Sequence, residues 1–400
     1  MQHSLTPFSK HELLPQEEKL ELELKKGALF IGIPKESKKG ENRICLTPDS
    51  VHSLVNSGHR VMIESGAGLK ASFSDHEYSE AGAEICDDTK KVFGCPIILK
   101  VAPPSIVELE YINPNSLLIS AIEIKTLKKA YFKLLEKKRI TALAFEFITD
   151  ISDGSHPAVH SLSEIAGTAS ILIASEIMSN ANDGSGMMMG NVTGVAPVEV
   201  VIIGSGTVGE FAAKAAIGLG AKVKVFDSSL NQLRKLQNNV GRAIHTSTIQ
   251  EKHLKKALMR SDVVIGAVRG KDRAPIIVTE DMLNYMKKGA VIIDVCIDTG
   301  GCFETSEVTT HDQPTFVKNG VIHYCVPNIP SRYAKTSSVS ISNMFSPYLN
   351  DISEMGGFEQ AIRQDKGLKN GIYAYHGCIS NKSVGEWFDL RYTDVNLLVF

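Results

Sequence analysis

The sequence lacks any pair of cysteines at metal-ligand or redox spacing, and it lacks a long hydrophobic run. Its 7 cysteines are scattered, none forms a CxxC pair, and several stand inside apolar stretches. This usage predicts buried, reduced thiols and no metal site. No apolar run approaches the ~18 residues that a membrane-spanning helix needs, and the N-terminus has no apolar signal core. We therefore expect a cytoplasmic protein with no membrane partner.

Excess charge of either sign is also missing. The chain carries 43 Lys and Arg against 45 Asp and Glu, which gives a formal net charge of -2. Such a balance creates no strong field that would attract nucleic acid or an anionic membrane, so neither is an expected partner. The 400 residues, of which 43% are hydrophobic, suffice for two globular domains of ordinary size.

Short apolar segments alternate with helical ones along most of the chain. Strand signals in the first half are ALFIGIP (28–34), HRVMIES (59–65), CPIILKV (95–101), SLLISAI (116–122) and ITALAFEF (140–147). Later strand signals are VEVVII (198–203), KVKVF (222–226), DVVIGAV (262–268), AVIIDVCID (290–298) and GVIHYCVPN (320–328). Strands that alternate with helices predict parallel sheets and an α/β fold. The tail, by contrast, looks helical, and we expect it to pack on the first domain.

A glycine-rich loop joins one of these strands to a helix. The strand 198–203 runs into the sequence GSGTVG (204–209), and the small, apolar helical segment 210–220 follows directly. A second strand then ends at Asp227, 18 residues after Gly209 (227 − 209). A lone GxGxxG motif is weak evidence, but this strand–loop–helix–strand context is typical of a dinucleotide-binding domain.

Each part of this segment has a mechanical role. Gly204 allows the tight turn, Gly206 lets the backbone approach a pyrophosphate, and Gly209 lets the helix pack closely on the strand. The N-terminus of the helix favours phosphate groups. Asp227 can accept hydrogen bonds from a ribose 2′-hydroxyl, and its charge repels a 2′-phosphate, so NAD is the predicted cofactor rather than NADP.

Motifs in both halves resemble one known family. They include GIPKES, ENRICLTPDSV and GHRVMIESGAG in the first half, and LSEIAG, VVIIGSGTVG and HYCVPNIPSRYAKTSS in the second. By these residues the chain is similar, over 29–400, to the alanine dehydrogenase and transhydrogenase alpha-subunit superfamily. The stretch 294–316 resembles the alanine dehydrogenases most.

The resemblance implies a fold and an activity. The expected fold has two Rossmann-like, doubly wound domains with a cleft between them. We expect an N-terminal arm (1–27), a substrate domain (28–157 plus 336–400) and an NAD-binding domain (158–335). The implied reaction is the NAD-dependent oxidative deamination of L-alanine to pyruvate and ammonium, which makes a small amino or oxo acid the expected substrate. A homo-oligomer, commonly a hexamer, is also implied.

The resemblance also assigns site residues. Arg43 matches the arginine that holds the substrate carboxylate, which suits a bidentate guanidinium. Lys100 matches a substrate-domain lysine, and Asp298 matches the catalytic aspartate. Positions that contact the cofactor are Ser163, Gly204, Gly206, Val208, Gly209, Asp227, Val268, Val295, Ile297, Asn328 and Ile329.

Two positions depart from the family pattern. The family strand usually reads LKVKEP, and its second lysine polarises the oxo acid; here LKVAPP places Ala102 there, and Lys100 lies ~6.6 Å away along the strand. Glu123 stands where the family has its catalytic histidine, and it is the predicted acid–base residue in this chain. A glutamate can do this work near neutral pH only if burial raises its pKa.

These departures leave four interpretations open. The protein is an alanine dehydrogenase with a rearranged site, a dehydrogenase of another small amino or oxo acid, a non-catalytic NAD-binding regulatory module, or a transhydrogenase-like subunit. The last of these needs membrane partners, and the sequence indicates none.

Overall fold

The computed structural model describes residues 27–270 and 273–399. Within them, strands form two separate sheets, and the strands in chain order are β1 (Phe30–Ile33), β2 (Arg60–Glu64), β3 (Glu84–Cys86), β4 (Ile97–Leu99), β5 (Leu117–Ser120), β6 (Thr141–Ala144), β7 (Glu199–Ile203), β8 (Lys222–Asp227), β9 (His245–Thr248), β10 (Val263–Gly266), β11 (Val291–Asp294), β12 (Thr315–Lys318), β13 (Val321–Tyr324), β14 (Ile372–Tyr375) and β15 (Cys378–Ile379). The predicted arm lies outside the described residues, apart from Gly27.

Helices connect these strands and cover both sheets. In chain order they are α1 (Pro48–Asn56), α2 (Asp75–Glu80), α3 (Thr89–Phe93), α4 (Ile106–Tyr111), α5 (Lys129–Lys138), α6 (Pro157–Ile177), α7 (Thr207–Gly218), α8 (Leu230–Val240), α9 (Glu251–Leu258), α10 (Glu280–Leu283), α11 (Ala334–Glu354), α12 (Phe358–Gln364), α13 (Lys366–Asn370) and α14 (Lys382–Phe388). No helix in the described part of the chain is long and apolar enough to cross a lipid bilayer.

Both sheets have the strand order of a doubly wound fold. The first sheet reads β15-β14-β6-β5-β4-β1-β2-β3, and the second reads β12-β13-β11-β10-β7-β8-β9. The strands β1 to β6 pair in parallel, and so do β7 to β11 and β13. Six strands of each sheet therefore follow the order 3-2-1-4-5-6, which confirms the predicted pair of Rossmann-like folds.

The core lies on both faces of each sheet, which explains the apolar runs in the sequence. Strands such as β5, β7 and β10 are buried almost throughout, because helices cover them on both sides. Two long helices of 21 residues, α6 and α11, run between the two sheets and contact each other. The first sheet is built from 30–144 and 372–379, and the second from 199–324; the assignment of a substrate and a cofactor role to each stays a prediction.

The C-terminal tail differs from the helical prediction. Residues 372–379 form a hairpin whose first strand, β14, pairs with β6 at the edge of the first sheet. The turn places His376 at φ +46° and Gly377 at φ +84°. Two successive positive φ values match the twist of a two-residue hairpin. The tail does pack on the first unit, as expected, but it does so chiefly by extending its sheet.

Helix α6 approaches α7 closely because its contact face is made of small residues, among them Ala166, Gly167 and Ala169. A Cβ atom on Gly167 would lie 2.4 Å from the carbonyl oxygen of Val208. This contact involves backbone, which cannot swing aside as a side chain can. The glycine therefore sets how near the first turn of α7, which carries the cofactor loop, stands to α6.

We expect Gly167→Ala to lower the free energy of unfolding by about 1–3 kcal/mol, because overpacking against backbone outweighs the better helix propensity of alanine. Urea denaturation measures the change. The control is Gly218→Ala on α7, where a Cβ atom meets nothing within 4 Å. That variant should be as stable as the parent or up to about 1 kcal/mol more stable, and equal loss in both variants would contradict the packing argument.

Candidate active site

The cofactor loop has the three properties that its glycines predict. Gly204 has φ +107°, and a Cβ atom there would lie 2.3 Å from the carbonyl oxygen of Ala267. A Cβ atom on Gly209 would lie 2.0 Å from the carbonyl oxygen of Gly204. Gly206 differs, because nothing lies within 4 Å of its Cβ position. Gly204 and Gly209 are thus required by close backbone contacts inside the protein, whereas Gly206 leaves open space beside the backbone.

This open space lies at the N-terminus of α7, which begins at Thr207. No side chain caps that end, so its first backbone N–H groups remain available to a ligand. Free amides and the positive end of the helix dipole favour a phosphate. The residues of this loop therefore fit the pyrophosphate of a dinucleotide, with Val208 and Gly209 in the first turn.

Asp227, at the end of β8, holds this loop in place. One carboxylate oxygen, Oδ2, accepts hydrogen bonds from the amide of Ser205 at 2.7 Å and from its hydroxyl at 2.8 Å. The other oxygen accepts the amide of Ser229 at 2.8 Å. A carboxylate has about four lone-pair sites, so one acceptor site remains for a ribose hydroxyl.

The other predicted cofactor positions follow the same edge of the second sheet. Val268 comes after β10, Val295 and Ile297 come after β11, and Asn328 and Ile329 come after β13. Parallel strands present their carboxyl ends at one edge, where ligands of such folds bind. Ser163 lies instead on α6 and is partly buried. The roles of all these residues stay predictions.

Arg43 is buried and already paired. Its Nε and one terminal nitrogen donate to the two carboxylate oxygens of Glu41, each at 2.7 Å. Burial raises the pKa of Glu41, but Arg43 outweighs burial and holds that pKa below its usual range. Glu41 also accepts a hydrogen bond from the side-chain amide of Asn328 at 2.9 Å. Arg43 keeps three of its five N–H donors for other groups, such as a substrate carboxylate.

Lys100 is buried more completely, with 1% of its surface exposed. Its ammonium group lies 3.2 Å from Glu36, 3.5 Å from Glu108 and 3.3 Å from the carbonyl oxygen of Lys35. Two carboxylates thus pair with its charge, and the carbonyl oxygen of Lys35 accepts a hydrogen bond from it. The substrate-binding role of Lys100 therefore stays a prediction that requires one of these bonds to open.

The charges of Lys100, Glu36 and Glu108 shift one another's pKa values. Burial works against a charged ammonium, but Glu36 and Glu108 together raise the pKa of Lys100. Burial raises the pKa of Glu36, and nearby Glu41 adds to the rise, whereas Lys100 holds the pKa of Glu108 below its usual value. Since two carboxyl groups share one cation, the more deeply buried Glu36 is the one that takes a proton more readily.

Glu123 lies three residues after the end of β5 and adopts a left-handed backbone conformation, with φ +41°. Its carboxylate forms an ion pair with Lys38, and 25% of its side chain is exposed. The nearby Lys125 donates a hydrogen bond to the backbone carbonyl of Asp298 at 3.4 Å. A left-handed glutamate costs of order 1–3 kcal/mol, so the surrounding contacts must hold it there.

Asp298 lies in a short 3-10 helix, Ile297–Thr299, just after β11. Its side chain keeps contact with solvent, yet the protein atoms crowded around it remove much of its hydration. This desolvation raises the pKa of Asp298, the charge of Glu123 adds to the rise, and Lys38 and Arg43 oppose it. The same neighbourhood thus contains the predicted catalytic pair Asp298 and Glu123 together with Arg43.

Asn328 connects the two halves of this site. Its backbone amide donates to Asp298 at 3.5 Å, and its side-chain amide donates to Glu41. Asn328 follows β13 of the second sheet, whereas Glu41 and Arg43 follow β1 of the first. The predicted cleft between the two units is therefore where the predicted carboxylate-binding and catalytic residues meet.

Sequence reasoning missed Glu146, which follows β6 at the same edge as Glu123. Its Oε1 accepts the backbone amide of Ile122 at 2.7 Å, whereas Oε2 is buried without a hydrogen-bond partner. Burial raises the pKa of Glu146 to about 7, and Glu123 contributes. The signal was present in ITALAFEF, where one acidic residue closes an otherwise apolar strand.

The sequence showed no cysteine spacing typical of a metal site, but folding brings two thiols to a carboxylate. The ligand atoms of Asp294, Cys296 and Cys302 lie within 4.8 Å of one another. Asp294 already accepts hydrogen bonds from Cys296, Cys302 and Ser306. Burial raises the pKa of Asp294 and that of Cys302, which disfavours the thiolate that a metal requires. The cluster therefore braces the loop that carries Asp298.

We expect Lys100→Met to lower the free energy of unfolding by about 3–5 kcal/mol at neutral pH, because it leaves Glu36 and Glu108 buried without a counter-charge. Chemical denaturation measures this. Lys39→Met is the control, since Lys39 and Asp312 form an ion pair whose side chains are 83% and 69% exposed. That variant should unfold like the parent. A Lys100 variant of unchanged stability would show that the buried triad contributes little.

Comparisons with known proteins agree on one family. The chain matches the models "Alanine dehydrogenase/PNT, N-terminal domain" over residues 32–166 and "Alanine dehydrogenase/PNT, C-terminal domain" over residues 170–382. Alanine dehydrogenase 2 of Staphylococcus aureus (strain N315) is 38% identical over 367 residues, which cover 91% of this chain and 98% of that protein.

Solved structures extend this result. A structure of L-alanine dehydrogenase superposes with a TM-score of 0.85 at 34% identity and covers 90% of this chain and 99% of its own. A transhydrogenase from Sinorhizobium meliloti, at 22% identity and a TM-score of 0.76, covers 88% and 99% and shares the fold. On its sequence and on its paired doubly wound sheets, the chain belongs to the alanine dehydrogenase/PNT family.

Proposed function

We propose that the protein is an NAD-dependent alanine dehydrogenase, which converts L-alanine and water into pyruvate and ammonium. The observation that carries this proposal is the double contact of Asn328, which joins Asp298 to the Glu41–Arg43 pair. Arg43 is a cation that suits a substrate carboxylate, and Asp298 is a carboxylate that suits the reacting carbon. Asn328 thus links the two groups that the reaction needs. The open face of Gly206 provides room for the dinucleotide in the same unit as Asp298.

Binding of the cofactor is assigned to the second unit. The amides at the start of α7 would hold the pyrophosphate, and Asp227 would accept a ribose hydroxyl and repel a 2′-phosphate. NAD, when bound, accepts a hydride from the α-carbon of the substrate. Ser163, Val268, Val295, Ile297, Asn328 and Ile329 are the further proposed contacts.

The remaining work belongs to side chains of the cleft. Arg43 would hold the substrate carboxylate with its free N–H donors, which fixes the position of the α-carbon. Asp298, when ionised, would orient water or ammonia and balance the positive charge of the iminium. Glu123 would exchange a proton with the attacking water. Because desolvation raises the pKa of Asp298, the ionised form prevails only above a pH higher than that of an ordinary aspartate.

Two alternatives have an observation in their favour. Ala102 is buried, and Lys100 is already paired with Glu36 and Glu108, so Lys100 must give up a partner before it can polarise an oxo acid. This arrangement supports a dehydrogenase of another small amino or oxo acid, or an NAD-binding module without turnover. A homo-oligomer, hexameric as the family resemblance implies, is a further proposal that light scattering tests.

We expect the purified protein to consume NADH when it is given pyruvate and ammonium, and to do so faster than with NADPH because of Asp227. The decrease in NADH absorbance measures the rate. Other small oxo acids are then offered in turn. Turnover with a different oxo acid would select the second interpretation. NADH binding without turnover on any oxo acid would refute the dehydrogenase proposal and favour the binding module.

We expect Asp298→Asn to lower kcat by about 10²-fold or more, because asparagine keeps the shape of the side chain but removes its charge. NAD affinity should stay within a few-fold of the parent, as measured by fluorescence titration. Asp312→Asn is the matched control, since Asp312 lies on an exposed surface. If both variants retain the activity of the parent, Asp298 has no catalytic role.

A further inference from the structure

Glu146 stands next to the predicted acid–base residue, but nothing in the proposed mechanism uses it. Strands β5 and β6 are parallel neighbours, with Ser120 paired to Ala144. Glu123 lies three residues beyond Ser120, and Glu146 lies two residues beyond Ala144. The two carboxyl groups therefore belong to adjacent strand ends at the same edge of the first sheet.

The carboxyl group of Glu146 holds the backbone that presents Glu123. Its Oε1 accepts the amide of Ile122 at 2.7 Å, and the amide of Glu123 also lies against this carboxyl group. These contacts fall on the residue just before the left-handed turn and on the turn itself. They supply the external restraint that a glutamate with φ +41° requires.

The second oxygen of Glu146 is buried, and no group within 27–270 or 273–399 forms a hydrogen bond with it. An ionised carboxylate with an unsatisfied buried oxygen is costly, whereas a protonated one carries no charge. Desolvation accordingly raises the pKa of Glu146 to about 7. A carboxyl group that gains and loses its proton near neutral pH is well placed to act in acid–base chemistry.

The groups that face Glu146 supply no cation. Tyr131 on α5 and Tyr373 on β14 lie near it, and burial raises the pKa of both phenols, so they stay neutral. On α6, which also packs against 145–147, His160 and Glu164 pair with each other at 3.1 Å. Glu123 is the charged neighbour, and its own counter-ion is Lys38.

We propose that Glu146 is a positioning residue that acts through Glu123: it holds the turn of Glu123, and its charge, once it ionises, repels that of Glu123. Glu123 then remains the group that takes a proton from the attacking water, and the protonation state of Glu146 sets how readily Glu123 does so. The inference rests on the proposed dehydrogenase function, because it names the residue that positions the acid–base group of that reaction.

The test is the pH dependence of kcat/KM in the parent and in Glu146→Gln. We expect the parent to show a limb near pH 7, and we expect Glu146→Gln to lose that limb and about 10²-fold in rate. Glu123→Gln should lose the same limb, and Glu146→Asp should restore part of it. The control, Glu84→Gln, changes an exposed carboxylate of β3 paired with Arg60 and should leave the profile unaltered.

Stability supplies a readout that does not need turnover. The folded-state pKa of Glu146 is raised from 4.5 to about 7, so the parent should lose stability as pH rises through this window. Glu146→Gln cannot ionise, so its Tm relative to the parent should rise between about pH 5 and about pH 8. If the Tm difference between Glu146→Gln and the parent does not change with pH, Glu146 is not a buried carboxyl group that titrates in this range.

The outcomes separate the two proposals. An active parent whose limb persists in Glu146→Gln would overturn the role of Glu146 and leave the dehydrogenase proposal intact. A parent that binds NADH but turns over no oxo acid would overturn the dehydrogenase proposal, and the positioning role of Glu146 would fall with it. If Glu146→Gln fails to fold, the variants Glu146→Asp and Glu123→Gln provide the test. A pH limb of kcat/KM that stays unchanged in both variants would overturn the inference.

Discussion

The site depends on a loop that has no strand or helix of its own to satisfy its backbone. This loop, residues 40–47, leads from β1 to α1. Buried serine hydroxyls of the segment 331–342 accept hydrogen bonds from three of its backbone amides, those of Asn42, Ile44 and Thr47, each at 2.9 Å. Buried amides must find a partner, and here the partners are side chains almost 300 residues away. The Glu41–Arg43 pair completes this junction by accepting the amide of Asn328.

That junction links the two doubly wound units where their chemistry is concentrated. In both sheets the strand order reverses between the first strand and the fourth, and ligand sites of such folds form beyond the carboxyl ends at this point. The cofactor loop follows β7 in one unit, while the loop with Arg43 and the buried Lys100 follow β1 and β4 in the other. Two copies of one topology thus place the predicted cofactor loop and the predicted substrate-binding residues beyond the carboxyl ends of their strands.

The electrostatics of the substrate side are dominated by carboxyl groups. Both buried cations, Arg43 and Lys100, are balanced by glutamates of the same unit. The further carboxyl groups near the predicted cleft are Glu123, Glu146 and Asp298, and desolvation raises the pKa of the last two. Glu146 and Asp298 therefore titrate closer to neutrality than ordinary carboxyl groups, because burial shifts carboxyl groups in the direction that acid–base catalysis requires.

Local patterns in the sequence determined much of this protein. Apolar runs at strand spacing indicated two α/β units, and GSGTVG between a strand and a helix predicted the cofactor loop, because these signals arise from interactions between residues close in the chain. The helical prediction for the tail is right for α13 and α14 and wrong for 372–379, since β14 is a strand only through its pairing with β6. The tertiary structure alone decided that Lys100 lies between two buried glutamates, that Asp294 lies close to two cysteines, and that Glu146 holds the backbone before Glu123 and has a raised pKa. Burial and partners from distant segments cause these properties, and no spacing within the sequence records them.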